Sequence, residues 1–118
     1  MATIDINRLR RFHADATAAG AALRAQWEKV RYAREDLARA RTQLEAARRP
    51  VPGVKTVEDG KTQKRFAAAV TAAEEGLRLA ETENERLYRI WEHAARLRDR
   101  VRQFAAEQGV LPKDLQEI

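Results

Sequence analysis

Apolar residues recur with a period of seven along the first half of the chain. One series comprises Leu9, Ala16, Leu23, Val30, Leu37 and Leu44, and a second comprises Phe12, Ala19, Gln26, Ala33, Ala40 and Ala47. Only Gln26 is polar among these twelve positions. Alternating steps of three and four residues place such a stripe along one side of an α-helix, as in helices that pack lengthwise against one or a few others. The pattern therefore predicts a long helix with a leucine and alanine seam.

The ends of this first helix are marked by residues that start or stop helices. Asp5 or Asn7 can cap its beginning, because their side chains accept hydrogen bonds from free backbone N–H groups. Pro50 and Pro52 end it, since proline lacks the amide hydrogen that a continuing helix needs. We predict helix 1 over about residues 5–49.

A second apolar pattern predicts another long helix. Its central line comprises Phe66, Ala73, Ala80, Leu87, Ala94 and Val101. In the first part of the helix, the flanking apolar residues lie four positions after this line, at Val70 and Leu77. In the later part they lie three positions after it, at Ile90, Leu97 and Phe104. A change of side of this kind is a register shift, which perturbs the supercoil locally. We expect the shift at Glu83–Asn84, where both candidate seam positions are polar.

The limits of helix 2 are predicted at about residues 62 and 108. Gly109 suits the left-handed conformation that follows a helix end, and Pro112 prevents the helix from continuing. The tail, residues 109–118, is predicted to form either one further helical turn that begins at Pro112 or an extended arm.

Two helices of nearly equal length joined by a linker predict an antiparallel hairpin. The fold class expected for residues 1–118 is therefore all-α, a single coiled-coil-type hairpin of two helices. Pairing the residues symmetrically about the linker places Gln26 near Asn84–Arg86, so that polar seam positions meet. A lone hairpin buries one stripe per helix and is marginally stable, so we expect it to be oligomeric or docked on a partner.

The linker, residues 50–61, ends in a sequence that resembles the end of a nucleotide-binding phosphate loop. Gly60-Lys61-Thr62 matches its last three residues, but the required earlier glycine position is Lys55, and no apolar strand precedes the segment. An enzyme that uses this segment is the least favoured alternative. We expect instead a tight turn at Asp59-Gly60, with the Thr62 hydroxyl capping helix 2.

Composition limits the classes of function. The chain has 118 residues, of which 35% are charged and 6% aromatic, and it contains neither cysteine nor serine. Disulfides and the serine and cysteine nucleophiles of common hydrolases are therefore absent. With no apolar stretch of membrane-spanning length, we expect a cytoplasmic protein, or a virion protein if it is a phage component. We expect no catalysis, cofactor, small-molecule substrate or membrane partner.

Titratable residues give no pattern for a metal site. His13 and His93 are the two histidines, and their spacing matches no zinc-binding motif, so we expect both at the surface or at the edge of the seam. The acidic residues fall four positions before arginines, which predicts ion pairs that stabilise the helices. The pairs are Glu35–Arg39, Glu45–Arg49, Glu74–Arg78, Glu85–Arg89 and Glu92–Arg96.

Basic residues concentrate at both ends of the predicted hairpin, within a net charge of +5. The open end carries Arg8, Arg10, Arg11, Arg96, Arg98, Arg100 and Arg102, and the tip carries Arg48, Arg49, Lys55, Lys61, Lys64 and Arg65. We expect these basic ends to be solvated and partly paired with acidic side chains or with an acidic protein partner, and binding of a phosphate backbone is less favoured. The alternative function is accordingly a nucleic-acid-binding accessory protein that uses the open end.

Large side chains outside the seam point to protein contacts. Ordinary packing at the seam edge is the favoured interpretation of these side chains, and a ligand cage is the least favoured. Trp27, Tyr32, Tyr88 and Trp91 are nevertheless candidates for an interface, because tryptophan and tyrosine are favoured interface anchors. The favoured function is a non-catalytic assembly module: a scaffold subunit, adaptor or chaperone-like spacer. The alanine and arginine bias is typical of GC-rich bacterial or phage genomes, so we expect a bacterial or phage assembly.

Overall fold

Two long helices and one short one make up the described structure. The computed structural model describes residues 5–49 and 57–116, with side chains for 5–49 and 60–115. Helix α1 spans Ile6–Arg48, α2 spans Val57–Glu107 and α3 spans Lys113–Gln116, and the described residues contain no strand. The predicted all-α fold with two long helices is confirmed.

The chain forms two compact units, and the long helices contribute to both. Unit 1 combines the chain up to Ala25 with the chain from Glu85 onward, and unit 2 is Gln26–Asn84. In each unit a segment of α1 packs against an antiparallel segment of α2. The predicted antiparallel hairpin is therefore present.

Helix α1 begins with one of the two predicted caps. The Asn7 backbone N–H donates to the Asp5 Oδ1 at 3.0 Å, and the Leu9 N–H donates to the Asp5 carbonyl at 3.0 Å. An aspartate in this position satisfies a backbone donor that has no partner within the helix. The N-cap is thus Asp5, and Asn7 lies inside the first turn.

Helix α2 begins earlier than predicted, which corrects the interpretation of the linker. It starts at Val57, so Asp59-Gly60 does not form a tight turn and Thr62 lies within the helix instead of capping it. Two features of the sequence are compatible with this earlier start. Acidic residues such as Glu58 and Asp59 are favourable in a first helical turn, and a single glycine costs a helix only about 1 kcal/mol. Pro50, Pro52 and Lys55 lie outside the described residues.

The end of α2 has the predicted glycine termination. Gly109 has a φ of 71°, its N–H donates to the Ala106 carbonyl at 3.0 Å, and the Val110 N–H donates to the Ala105 carbonyl at 3.0 Å. These two bonds are the Schellman pattern, which satisfies the last carbonyls of a helix. Of the two alternatives for the tail, the helical turn is confirmed, because the Leu115 N–H donates to the Pro112 carbonyl at 3.0 Å.

The seam of α1 is confirmed. All six residues of the series that begins at Leu9 are buried, with at most 9% of each exposed. In the series that begins at Phe12, Gln26 and Ala40 are buried and the other four residues are half-buried. Burial at every seventh position shows that one side of α1 faces a partner helix along its length.

The seam of α2 does not shift, which corrects the predicted change of side. The residues four positions after the central line are buried or half-buried throughout: Val70, Leu77, Asn84, Trp91, Arg98 and Ala105. Ile90 and Phe104, which the predicted shift would bury, are 46% and 41% exposed. The unbroken repeat keeps the two helices in one register, and two polar side chains are half-buried as a result.

Unit 2 holds one apolar cluster and a polar contact. Leu37, Ala40, Leu44 and Val70 are buried together, with Phe66 and Leu77 among the residues packed against them. Gln26 Nε2 donates to the Ala80 carbonyl at 2.9 Å, about one turn before the predicted neighbour Asn84. Gln63 Nε2 donates to the Ala47 carbonyl at 3.3 Å. Position numbers on α2 fall as those on α1 rise, so the segments are antiparallel.

Unit 1 packs the tail onto the seam. Leu9 and Ala105 are 0% exposed and form a buried cluster with Leu115 of α3. Further along, Gly20 lies against the Trp91 ring, and a Cβ atom added to Gly20 would be 3.3 Å from the indole Nε1. The segments are antiparallel here as well, and the short α3 contributes one side of the core.

The ion pairs along the helices differ in part from those predicted. Glu85–Arg89 and Glu92–Arg96 form, each at 2.6 Å. Arg39 pairs with Asp36 and Arg78 with Glu75, three positions away, instead of with Glu35 and Glu74. Three-residue and four-residue spacings both bring side chains together on a helix, so the nearer acid competes. No ion pair forms between Glu45 and Arg49 among the described residues.

Candidate functional surfaces

The four aromatic residues proposed as interface anchors differ in exposure. Trp27 is 50% exposed, Tyr32 is 55% exposed and Tyr88 is 47% exposed, whereas Trp91 is half-buried in the seam. Trp91 contacts Gly20, which provides the space that its ring occupies. Three of the four candidates are therefore available for contact, and Trp91 contributes mainly to the core of unit 1.

The structure brings only one pair of these aromatic residues together. The ring centroids of Tyr88 and Trp91 are 5.8 Å apart at an interplanar angle of 46°. Trp27 and Tyr32 are five residues apart on α1, which places them on different sides of the helix. The Arg31 guanidinium lies 5.3 Å from the Tyr32 ring centroid. Trp27 and Tyr32 therefore do not share one surface within unit 2.

An apolar surface that the sequence interpretation missed lies on α2 in unit 1. It consists of Ile90, Leu97 and Phe104, which we call the α2 stripe. Leu97 is half-buried, and the residues on either side of it in the stripe are each more than 40% exposed. Spacing by seven puts the three side chains on one side of the helix. The spacing of these three residues is visible in the sequence, where it favours a position in the seam.

Several arginines of the open end have acidic partners. Arg10 Nη1 is 2.6 Å from Asp114 Oδ2, Arg96 pairs with Glu92, and Arg98 Nε is 3.0 Å from Asp99 Oδ1. Arg8 lies over the Phe12 ring at 5.8 Å from its centroid. The Asp114 carboxylate has a lowered pKa, chiefly because it accepts hydrogen bonds from Arg10.

Three arginines of this end remain. Arg102 is half-buried and lines an open groove of about 420 Å³ together with Asp99 and Leu111. Arg11 and Arg100 are exposed and form no ion pair among the described residues. A polyanion at this end would have to compete with the internal carboxylates for Arg10, Arg96 and Arg98, which weakens the nucleic-acid hypothesis for the open end.

His13 is buried, which corrects the expectation of a surface or edge position. It is 6% exposed, and its Nε2 has no hydrogen-bond partner in the described structure. Burial lowers the pKa of His13 below its ordinary value of 6.5, and the positive charges of Arg98 and Arg102 lower it further; Asp99 and Asp114 oppose this shift. His93, in contrast, is exposed as expected. The sequence spacing between His13 and His93 matches no metal-binding motif.

The lowered pKa of His13 predicts that acid destabilises unit 1. The unfolded chain takes up a proton near the ordinary pKa, whereas the folded chain takes it up only at lower pH. Stability should therefore decline as the pH falls through that ordinary value and level off below the folded pKa. We expect the melting temperature to fall between about pH 8 and about pH 5, and to fall less in His13→Gln.

Replacement of the exposed histidine is the matched control for this prediction. His93→Gln retains His13, so its melting temperature should decline with pH as in the parent chain. An equal decline in His13→Gln and in the parent chain would contradict the assignment to His13. The Asp114 carboxylate does not confuse the comparison, because its contribution is lost only as the pH falls below its ordinary pKa of 3.8.

Other chemistry considered from the sequence finds no site in the described part of the chain. The described residues contain no group of three or more histidine or acidic side chains placed to hold a metal ion. Gly60-Lys61-Thr62 is helical, so its backbone does not form a phosphate loop. Within the same residues, no helix combines the length and apolarity that a bilayer-crossing segment requires.

Comparisons of the chain with protein-family models, with curated proteins and with solved structures give no match. The surfaces themselves are therefore the basis for a functional proposal.

Proposed function

We propose that this chain is a non-catalytic assembly module that associates with a second copy of itself through the α2 stripe. The observation that carries the proposal is the stripe: Ile90, Leu97 and Phe104 form a second apolar line on a helix whose first line already faces α1. Its role would be that of a scaffold subunit, adaptor or spacer in a bacterial or phage assembly.

The number of apolar lines on a helix reflects the number of its neighbours. A helix in a two-stranded coiled coil needs one narrow seam, whereas a helix in a larger bundle has a wider apolar side that includes a flanking position. In unit 1, α2 has both the seam residues Leu87 and Val101 and the α2 stripe beside them. This wider side fits a helix that receives another helix in the assembled state.

Incomplete burial of α2 supports the same proposal. Along the α2 seam, Val70 and Ala105 are buried, but large residues such as Phe66, Leu77 and Leu87 are only half-buried. A hairpin of this size has little core with which to offset the loss of chain entropy. Burying further apolar surface against a second copy would stabilise both the fold and the assembly.

A second copy suits the stripe because a two-fold contact centred on Leu97 is self-complementary. Antiparallel packing about this residue sets Ile90 of each copy against Phe104 of the other. Arg86 and Glu107 border the stripe near its two ends, so the same arrangement brings opposite charges together twice. The exposed Trp27, Tyr32 and Tyr88 remain candidates for contacts with further copies or other proteins.

Light scattering of stripe variants tests the proposal. We expect the parent chain to have twice its 13.5 kDa mass or more, and Ile90→Lys with Phe104→Lys to be monomeric at the same concentration. Charges at two of the three stripe positions should weaken association by at least about 100-fold, since each lost anchor costs about 2 kcal/mol. The matched control is Tyr32→Lys, which charges a similarly exposed aromatic residue on α1 in the other unit.

Each outcome of this experiment decides a point. A parent chain that stays at 13.5 kDa at high concentration would contradict self-association. Dissociation by Tyr32→Lys but not by the stripe variant would place the interface on α1 instead. Circular dichroism should show unchanged helix content in both variants, because the replaced side chains are exposed and lysine is a good helix former.

A further inference from the structure

The net positive charge of the chain is concentrated where α1 ends and α2 begins. Residues 41–65 contain seven basic and three acidic residues, so this segment carries +4 of the total of +5. The hydrogen bond between Gln63 and Ala47 shows that the end of α1 and the start of α2 lie together in unit 2. The exposed basic residues described there form what we call the tip patch: Arg41, Arg48, Arg49, Lys61, Lys64 and Arg65.

The tip patch differs from the open end in having no ion-pair partners among the side chains that the structure describes. None of its six side chains forms an ion pair among the described residues, whereas Arg10, Arg96 and Arg98 of the open end are paired with carboxylates. Glu45 is the only acidic residue of the segment whose side chain the structure describes, and it pairs with none of them. Within the described part of the chain, no carboxylate neutralises the positive charge of the tip patch by an ion pair.

The arrangement of the tip patch opposes helix stability. Lys61 and Arg65 are four residues apart and Lys64 lies between them, so three like charges share one side of α2. Like charges at this spacing destabilise a helix by about 0.2 to 0.5 kcal/mol per pair. Local features that conflict with the fold commonly mark functional positions. Arg48 and Arg49 need no such explanation, because cations are favoured at the end of a helix.

The surroundings of the tip patch favour a nucleic-acid backbone over a protein or a membrane. Among the described residues, no large hydrophobic side chain is exposed between Tyr32 and Leu79. A protein interface would be expected to supply an apolar or aromatic anchor, and a membrane-binding surface would need apolar side chains to insert. Flexible lysines and arginines without such anchors suit phosphates, which they contact without reading bases.

We propose that the tip patch binds the phosphate backbone of double-stranded nucleic acid without sequence preference. This site is independent of the α2 stripe, which lies in the other unit. Arg41 and Arg48 are two helical turns apart, about 10 Å, and can contact successive phosphates along a strand. Lys61, Lys64 and Arg65 supply further contacts from α2. The assembly module would thereby attach to a duplex at its tip.

Fluorescence anisotropy with a labelled DNA duplex of mixed sequence tests this site. With four or five phosphate contacts, the logarithm of affinity should fall against the logarithm of salt with a slope of about −4. Affinity should therefore drop by about 100-fold or more between about 50 mM and about 200 mM salt. Lys61→Glu with Arg65→Glu should reduce the slope by about 2 and weaken binding at least about tenfold.

The matched control reverses two charges at the open end. Arg11→Glu with Arg100→Glu changes the net charge by the same amount, and both residues are exposed. Equal weakening by the two double variants, or no binding of the parent chain at about 50 mM salt, would overturn the proposal. Both variants should fold, because glutamate is a good helix former and the positions are exposed.

Two further probes identify the kind of polyanion. An RNA duplex should bind with a similar salt slope, because the proposed contacts are to phosphates. Polyglutamate that binds as tightly as the DNA duplex at equal charge concentration would overturn the assignment to nucleic acid. Light scattering of the tip variant, Lys61→Glu with Arg65→Glu, distinguishes this site from self-association. The variant should keep the parent's mass even if it no longer binds DNA.

Discussion

Leu37→Lys is expected to abolish the folded structure of unit 2. Leu37 is 6% exposed and packs with Ala40, Leu44 and Val70 in the apolar cluster of this unit. The substitution removes a buried leucine, which typically costs about 2 to 5 kcal/mol, and leaves a cation without a partner in the same place. A single hairpin has little excess stability, so we expect most helical circular dichroism from this region to be lost at 25 °C.

A matched lysine substitution at an exposed leucine separates burial from charge. Leu79 belongs to the same unit and is 55% exposed, so Leu79→Lys should change the unfolding free energy by no more than about 0.5 kcal/mol. Urea unfolding followed by circular dichroism measures both variants. If Leu37→Lys unfolds at the same urea concentration as the parent chain, the seam does not stabilise unit 2.

Leu9→Ala is expected to produce the second large loss, in unit 1. Leu9 is 0% exposed and contacts Ala105 on α2 and Leu115 on α3. Truncation leaves a cavity at the point where three helices meet and should cost about 2 to 5 kcal/mol. Leu115→Ala removes only the contact of the tail, and the released tail can leave without a cavity in the seam. Its cost should be smaller.

A double-mutant cycle tests whether Leu9 and Leu115 act together. Because the two side chains are in contact, the combined variant should lose less than the sum of the single losses, by about 0.5 kcal/mol or more. Urea unfolding of the parent, the two single variants and the double variant gives the four free energies. Strict additivity would show that the tail does not stabilise unit 1 through this contact.

The periodicity of the sequence predicts α1 almost completely. Its seam series is apolar at eleven of twelve positions, so no other assignment competes. Burial then follows from the period alone, since residues spaced by three and four share one side of a helix. The Asp5 cap of α1 and the Gly109 termination of α2 were also predictable, because aspartate and the glycine after a helix each satisfy the backbone in a specific way, whereas the predicted Thr62 cap was wrong.

The register of α2 could not be predicted from the apolar pattern, because some of its seam positions are polar and some positions outside the seam are apolar. Asn84 and Arg98 occupy seam positions although they are polar, and Ile90 and Phe104 lie outside the seam although they are apolar. A pattern search follows the apolar residues and so infers a shift. The structure instead keeps the repeat, since changing register would cost packing along the rest of the helix.

The candidate surfaces were predictable only in part for a related reason. Residue type identifies arginines and aromatic residues, but it does not show which of them already have partners. Arg10 pairs with Asp114 of the tail, and His13 is buried rather than at the edge, close to charged groups of α2 and of the tail. These contacts join residues far apart in sequence, which a local pattern does not contain.

The contact between Gly20 and Trp91 links two positions in the choice of residue. Glycine inside a helix costs about 1 kcal/mol relative to alanine, yet a Cβ at position 20 would press on the indole at 3.3 Å. Alanine at position 20 therefore suits a smaller side chain at position 91, and tryptophan at position 91 suits glycine at position 20. Replacing either residue alone should destabilise this packing, whereas replacing both together should not. The two positions should therefore vary as a pair in any chain that keeps the packing.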